Sequence, residues 1–404
     1  MSASPSARSV TTASRGPHDR SGRKRSTSGL RLPTISRISH RGGPAKHSAV
    51  IANGANLATL PSGRGSGYFR VTCLTMRRSA SVIRVIRHPG PGSNHPRGSV
   101  LAIGNFDGLH RGHAVLLGQV RELARSRGRP VGVLTFEPHP RSVFLPGAEP
   151  FRLTPFRVKE RELARLGVEL LFVRHFDLGF AAKSAEDFIT EVIVGAIGAS
   201  HVVVGWDCTF GNRRRGTPDM LRAAGIVQGF GVTVLEPVRS EDTTVYSSTH
   251  IRELLKAGKP REAATLLGRF WEIDGRVATG DRRGRTIGFP TANLGLDDYL
   301  HPALGVYAVR VSGDGPDDPL AGHTVDGVAN IGLRPTVGGL VPRLEAHLFD
   351  TDVDLYSRHL RVALVDFIRP EQKFADFGAL KAQIAEDAVR ARTILAGGAF
   401  VDGV

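Results

Sequence analysis

From Ser99 onward, short apolar runs bounded by Gly and Pro alternate with stretches whose apolar residues recur every three or four positions. The runs at 99–106 (SVLAIGNF), 130–136 (PVGVLTF), 169–176 (ELLFVRHF), 201–205 (HVVVG) and 232–238 (VTVLEPV) predict buried strands. Between them, 113–128 (HAVLLGQVRELARSRG), 159–167 (KERELARLG) and 184–198 (SAEDFITEVIVGAIG) carry a helical period. Ser184, with Asp187 three positions later, predicts a capping box on the last of these. Strand and helix in alternation predict an α/β unit, a parallel sheet wrapped by helices.

After a helix-like link (SSTHIRELLKAG, then REAATLLGR) the period changes. From Trp271 come short alternating pieces, EIDGRVATG, GVYAVRVSG, HTVDGVANIG, RLEAHLFD and LRVALVDFIR, separated by turn residues. They predict an antiparallel barrel, closed by the amphipathic segment ALKAQIAEDAVRARTIL. The division expected is a basic extension at 1–97, an α/β domain at 98–258, a linker at 259–267, a barrel with its helix at 268–395, and a tail at 396–404.

Charge enters at the N-terminal stretch. Residues 1–99 hold 17 of the 54 Lys and Arg and one of the 38 acidic residues, Asp19, so the whole charge of +16 sits there. The remaining 305 positions balance. Residues 1–80 are rich in Ser, Arg, Gly and Pro without sustained period, a composition that predicts disorder because too little apolar surface could be buried. Three readings fit this extension: a segment without function ahead of a later start such as Met76, a transit peptide, or a basic arm that touches nucleic acid. No apolar run reaches the roughly 18 residues of a membrane span, and two cysteines, Cys73 and Cys208, make no disulfide framework. A cytoplasmic protein is expected, monomer or homo-oligomer, with neither a membrane nor nucleic acid as partner of its folded part.

Chemistry concentrates at IGNFDGLHRGH (103–113). A strand ends at Phe106, and His110 and His113 stand at the mouth of a helix, where amides and the helix dipole attract anions. Gly108 and Gly112 would let a phosphate approach the backbone, and two imidazoles would donate to phosphoryl oxygens and a leaving pyrophosphate. A metal site or a packed core pair is the plainer alternative. VYSSTHIRELL (245–255) starts a second helix, with Ser247 as N-cap and Arg252 able to grip an anion through two nitrogens; plain capping is the alternative for its Ser-Ser-Thr.

HxGH followed by SSTxIR resembles the nucleotidyltransferases. With TFEPHPRSVF (135–144) and VVVGWDCTFGNRRRG (202–216) in the same order, residues 98–395 resemble bacterial bifunctional riboflavin kinase/FMN adenylyltransferases, the FAD synthetases. The resemblance implies a Rossmann-like nucleotidyltransferase domain followed by a riboflavin kinase barrel. It implies that ATP sits over His110 and His113, against Gly104, Phe106, Asp107, Gly108, Gly112, Ser247, Ser248 and Thr249, while the FMN phosphate attacks the α-phosphorus. Phe136, Pro138 and His139, at the end of a strand, are expected to line the flavin or ATP site, against a plain strand-to-loop turn. Trp206, Cys208 and Tyr246 depart from the family pattern, and Cys208 reads as a packed thiol, since nothing beside it would depress its pKa. Arg213, Arg214 and Arg215 fit a steering patch and a solvated loop equally.

In the second half, GRVATGDRRGRTIGFPTANL (275–294) packs Gly and Arg into a loop before Thr291 and Asn293. Their oxygens, at i and i+2 on one face, suit Mg²⁺ with ATP phosphates; a turn bonding its own backbone fits equally. GFPTANL, GVYAVRV (305–311), VANIGLRPT (328–336) and LEAHLFDTDVDLY (344–356) resemble riboflavin kinase. That resemblance makes Thr291 and Asn293 the metal ligands, puts Gly280 and Arg285 on the nucleotide, and gives Arg369 and Glu371 a flavin-side loop. It also makes Glu345 the base toward the ribityl hydroxyl; by pattern alone Glu345 is a solvent-facing strand residue. The function implied is phosphorylation of riboflavin to FMN and adenylylation of FMN to FAD, with Mg²⁺, ATP as co-substrate, and riboflavin, FMN and FAD as small-molecule ligands. Two other readings are open to the same residues: an adenylyltransferase with an inert barrel, and a flavin- or nucleic-acid-binding regulator.

Overall fold

The computed structural model describes residues 82–90, 92–238, 245–278, 289–315, 318–336, 339–351 and 353–397. Strands β1 (Arg84–Arg87), β2 (Val100–Ile103), β3 (Val131–Glu137), β4 (Leu170–His175), β5 (His201–Gly205) and β6 (Gly231–Leu235) form one sheet, ordered β1-β4-β3-β2-β5-β6. Every pairing in it is parallel. The chain winds from β2 outward through β3 to β4, then returns to the other side of β2 for β5 and β6. The crevice beyond the carboxyl ends of β2 and β5 is therefore the switch point where such sheets take ligands. Around the sheet lie α1 (Arg111–Arg127), α2 (Pro140–Phe144), α3 (Phe156–Arg165), α4 (Leu178–Ala181), α5 (Ala185–Asp187) and α6 (Pro218–Gln228). Leu117, Val120 and Ala124 form the buried stripe of α1. Ser184 caps α5, its Oγ accepting from Asp187 N at 3.0 Å, and the chain continues as a π-helix over Phe188–Ile197.

The second sheet is antiparallel. Strands β7 (Trp271–Arg276), β8 (Ala292–Gly295), β9 (Gly305–Gly313), β10 (Thr324–Thr336), β11 (Gly339–Leu348) and β12 (His359–Pro370) are ordered β7-β12-β9-β10-β11-β8. A bridge between Ala278 and Asn293 links the two ends of that order, so the barrel is nearly closed. Strand alternation splits its residues cleanly. Tyr307, Val309, Ala329, Leu344 and Ala346 fill the interior, and Val306, Ala308 and Val328 face outward under the last helix. Between the sheets run α7 (Ser248–Lys256) and α8 (Pro260–Leu267); α9 (Phe377–Ala396) closes the chain and covers the outer face with Ala391 and Leu395.

Three expectations need correction. The extension does not run to residue 97, because β1 lies inside it and pairs with β4 from Arg84↔Leu170 to Arg87↔Val173. Two apolar residues between arginines gave too short a period to separate an edge strand from a basic tail. The expected linker at 259–267 is α8, whose Ala263, Leu266 and Leu267 join Ile251, Leu255, Tyr307 and Val309 in one apolar core. The barrel and the helices before it thus share a core. Finally, β6 is only half-buried, as an edge strand is.

Candidate active sites

The first site is built on the loop leaving β2. Phe106, Gly108 and Leu109 take positive φ (49°, 86° and 47°), a conformation that costs energy at Phe and Leu and persists only when surroundings enforce it. Asp107 supplies much of that enforcement. Its buried carboxylate accepts from Leu153 N (3.0 Å), Thr154 N (2.9 Å), Thr154 Oγ1 (3.1 Å) and Arg252 Nη2 (2.6 Å). Burial pushes this carboxyl up, but the Arg252 charge and the two amides outweigh it and hold it below the usual range.

His110 is the N-cap of α1, its Nδ1 accepting from His113 N at 3.4 Å. The two rings stack with centroids 3.8 Å apart and planes 20° apart. A ring nitrogen that accepts places the proton of a neutral imidazole on the other, Nε2. Burial, and then the positive charge of Arg269, push His110 down to about 4, and burial holds His113 well below its ordinary value. Both rings are therefore neutral donors near pH 7. Among the described residues, Nδ1 of His113 is buried without a hydrogen-bond partner.

At the end of neighbouring β3, His139 caps α2 through Nδ1, which accepts from Arg141 N at 3.1 Å, and burial lowers it to about 4. Pro138 lies between it and β3 and follows a cis peptide bond. Phe136 is half-buried in a run of aromatic rings that includes Phe176, Phe180 and Phe188, with the exposed Phe144 packed on Phe176. On the opposing helix, Ser247 Oγ caps α7 by accepting from His250 N at 3.2 Å, and Ser248 Oγ donates to Asp107 O at 2.8 Å. Thr249 follows in the first turn of α7, exposed. Arg252 donates from Nε to Phe151 O at 2.8 Å.

The structure thus brings His110, His113, Phe136, Pro138 and His139 to the ends of β2 and β3, and Ser248 and Arg252 against the same loop. Several others also make contacts within the fold. Gly104 continues the sheet, its N–H donating to Leu134 O at 3.1 Å. Gly108 is glycine for its φ of 86° and because a Cβ would stand 2.9 Å from Leu153 Cδ1, while its N–H is committed to Thr154 Oγ1 at 3.0 Å. The space over Gly112 is taken by His110 Nδ1 and Tyr246 Cβ, each 3.1 Å from where a Cβ would be. Phe106 packs its buried ring on His113 at 5.2 Å, and Asp107 spends its carboxylate inside the protein. These residues shape the loop. Cys208 is a packed thiol that burial pushes up to about 11, so it is no nucleophile at neutral pH. Arg213, Arg214 and Arg215 are exposed, and Arg214 Nε donates to Thr209 Oγ1 at 2.9 Å.

Sequence reasoning missed a buried polar group beside this site. Lys159, 1% exposed, donates from Nζ to Glu137 Oε1 at 3.0 Å, and Glu137 also pairs with Arg152. The available signal was its place four residues before Leu163 on the buried stripe of α3.

The second site lies on the outer face of the barrel. Glu345 on β11 pairs in register with Asn293 on β8 and Asn330 on β10, so the three stand in one row across three strands. Glu345 Oε1 accepts from Arg334 Nε at 3.0 Å, and Asn330 Nδ2 donates to Glu371 Oε1 at 3.3 Å. Thr291 lines an adjoining cavity of about 360 Å³ with Val277, Leu348, Asp354 and Tyr356. Asn293 Nδ2 donates to Thr291 O at 3.5 Å, which leaves its amide oxygen as acceptor. A hydroxyl and an amide oxygen are hard, neutral donors, and this set fits a Mg²⁺ ion shared with nucleotide phosphates. Gly280 and Arg285 lie outside the described residues. Arg369 does not belong to the row: its guanidinium grips buried Asp387 of α9 through Nε (2.9 Å) and Nη2 (2.7 Å). Asn330 and Arg334 were not singled out, although they fall at i and i+4 of one strand face within VANIGLRPT.

Comparison with known proteins matches the same two halves. Residues 92–250 match the FAD synthetase family and residues 267–395 the riboflavin kinase family. A bifunctional riboflavin kinase/FMN adenylyltransferase of Escherichia coli (strain K12) is 46% identical over 295 residues, 73% of this chain and 92% of that protein. The protein of the same name from Bacillus subtilis (strain 168) is 38% identical over 298 residues, 72% of this chain and 90% of that one. A solved structure described as a macrolide-efflux protein from Streptococcus pneumoniae shares 32% identity with a TM-score of 0.67, covering 78% of this chain and 99% of its own. Among the described residues no helix is long and apolar enough to cross a membrane. Matches to both families fall on the halves that carry the stacked histidines and the Glu345 row, and they settle the lineage: the chain belongs to the bifunctional riboflavin kinase/FMN adenylyltransferases.

Proposed function

We propose that each half carries one step of a two-step synthesis of FAD from riboflavin, with the residues above in stated roles. The observation that carries the reading is that two separate constellations, stacked neutral histidines at the end of β2 and a carboxylate between two asparagines on the barrel, share one chain.

In the barrel, Glu345 accepts the proton of the ribityl 5′-hydroxyl as its oxygen attacks the γ-phosphorus of ATP, and ADP leaves. Thr291 and Asn293 hold Mg²⁺, which, when bound, neutralises charge on the phosphates. Arg334 orients Glu345, since its Nε meets Oε1 at 3.0 Å. Glu371, tied to Asn330, supports the flavin side.

In the α/β half, a phosphate oxygen of FMN attacks the α-phosphorus of ATP and pyrophosphate leaves. No covalent enzyme intermediate is needed, so the protein's share is positioning and stabilisation of charge. His110 and His113, neutral at pH 7, donate N–H groups to phosphoryl oxygens as negative charge grows on them. Arg252 adds a fixed positive charge behind the loop, held by Asp107. Phe136, Pro138 and His139 line the flavin end. The balanced charge of residues 100–404 and the use of ATP fit a cytoplasmic enzyme that acts on small molecules, with nucleic acid no part of its reaction.

The test supplies purified protein with FMN and Mg-ATP, and separately with riboflavin and Mg-ATP, and follows products by chromatography. FAD from the first and FMN followed by FAD from the second are expected. Failure of either reaction removes the corresponding half.

A further inference from the structure

The loop that presents His110 is unusual in how its carbonyls are accounted for. All but one from residue 105 to 110 accept a hydrogen bond: Asn105 from Thr135 Oγ1 (3.3 Å), Asp107 from Ser248 Oγ (2.8 Å) and His110 from Ala114 N (3.1 Å), while Phe106 O lies 3.4 Å from Thr154 Oγ1, whose one proton goes to Asp107. The remaining two are taken by one side chain. Arg269 donates from Nη2 to Gly108 O at 2.9 Å and from Nη1 to Leu109 O at 3.1 Å.

A loop that receives phosphates must keep its carbonyl dipoles turned away from them, because an oxygen aimed at an anion repels it. Gly108 and Leu109 are also two of the three residues with positive φ, so their geometry needs outside support. Arg269 stands between α8 and β7, beyond the FAD synthetase match and inside the riboflavin kinase match. Its neighbour Trp271, the first residue of β7, donates from Nε1 to Leu153 O at 2.8 Å, beside the amides that hold Asp107. Leu267 Cδ2 packs under Gly108. The charge of Arg269 is matched by Glu162, 3.5 Å from Nε, so the guanidinium is compensated without surrendering its two outer nitrogens.

We infer that the adenylyl-transfer site is completed by the first residues of the kinase half, with Arg269 the positioning residue that holds the His110 loop open to phosphate. The inference rests on the adenylyl-transfer reading above. It makes the two halves unequal: the FMN-to-FAD step depends on residue 269, and the riboflavin-to-FMN step does not.

The test is made in the full chain with Arg269→Met, which keeps the stem and removes the donors, and Arg269→Lys, which keeps the charge with a single donor group. For Arg269→Met, kcat of FAD formation from FMN falls about 100-fold, the cost of a misplaced reacting centre, while KM for FMN and FMN formation from riboflavin hold. Arg269→Lys falls between. Unchanged FAD formation in Arg269→Met overturns the inference, as does a parallel fall of both activities with the melting temperature, which marks a general staple. Should Arg269→Met not fold, Arg269→Lys decides: lowered FAD formation with intact kinase activity supports the inference, and any other result overturns it. Wild-type protein that makes no FAD from FMN would remove the underlying reading instead.

Discussion

Charge state decides what single residues can do here. His110 and His139 are held near about 4 by burial, whereas in the unfolded chain they titrate near about 6.5. A group that binds its proton more readily when unfolded removes stability as pH falls through that interval. The folded protein should therefore lose stability between about pH 6.5 and 4, by a few kcal/mol in sum, and chemical denaturation across that range would measure it. A flat stability curve there would mean the histidines are protonated in place. The same neutrality predicts that FAD formation does not decline as pH rises from 6.5 to 8, since no imidazolium is lost. The histidines, Ser247 and Glu345 were legible in the sequence because short motifs carry them. Asp107, Gly108 and Gly112 were legible as members of a motif but not in their roles, because a motif shows which residues recur together and not which atoms they touch. Arg269 was hidden, since a polar residue that is buried beside a partner far along the chain leaves no local signature, and Lys159 showed only in its place on the buried stripe of α3.

At the level of elements, period and punctuation were enough for most of the parallel strands and for the barrel's alternation. They failed at β1, where two apolar residues between arginines carry too little pattern; at the link they indicated a helix but not its burial, because α8 is amphipathic toward a core that only the folded barrel supplies. Arg369 shows the same limit. It lies in a stretch that resembles a flavin-side loop, yet its bidentate grip on Asp387 fastens α9 to β12. Asp387→Ala would leave that guanidinium, 15% exposed, without its counter-charge. The loss should be about 3–5 kcal/mol, or roughly a 10 °C fall in the melting temperature of the barrel. An unchanged melting temperature would show the pair to be dispensable and return Arg369 to the candidates for flavin binding.

For the whole molecule, the shared core and the ions around it tie the two halves together. Arg161 of α3 meets Asp274 at 2.5 Å and pairs with Glu272, both on β7, while Leu255 and Leu267 pack among barrel residues. The basic extension stands apart from this chemistry, since both family matches lie within 92–395 and the charge of +16 lies before residue 100. Removing residues 1–80 should leave both activities unchanged and abolish any salt-steep binding of nucleic acid. Loss of either activity on that removal would give the extension a part in catalysis. The most direct measurement of the central claim, two separate reaction centres in one chain, is the product analysis of Glu345→Ala. It should form no FMN from riboflavin yet convert supplied FMN to FAD at the wild-type rate. A folded Glu345→Ala protein that loses both conversions, or keeps both, would contradict the account.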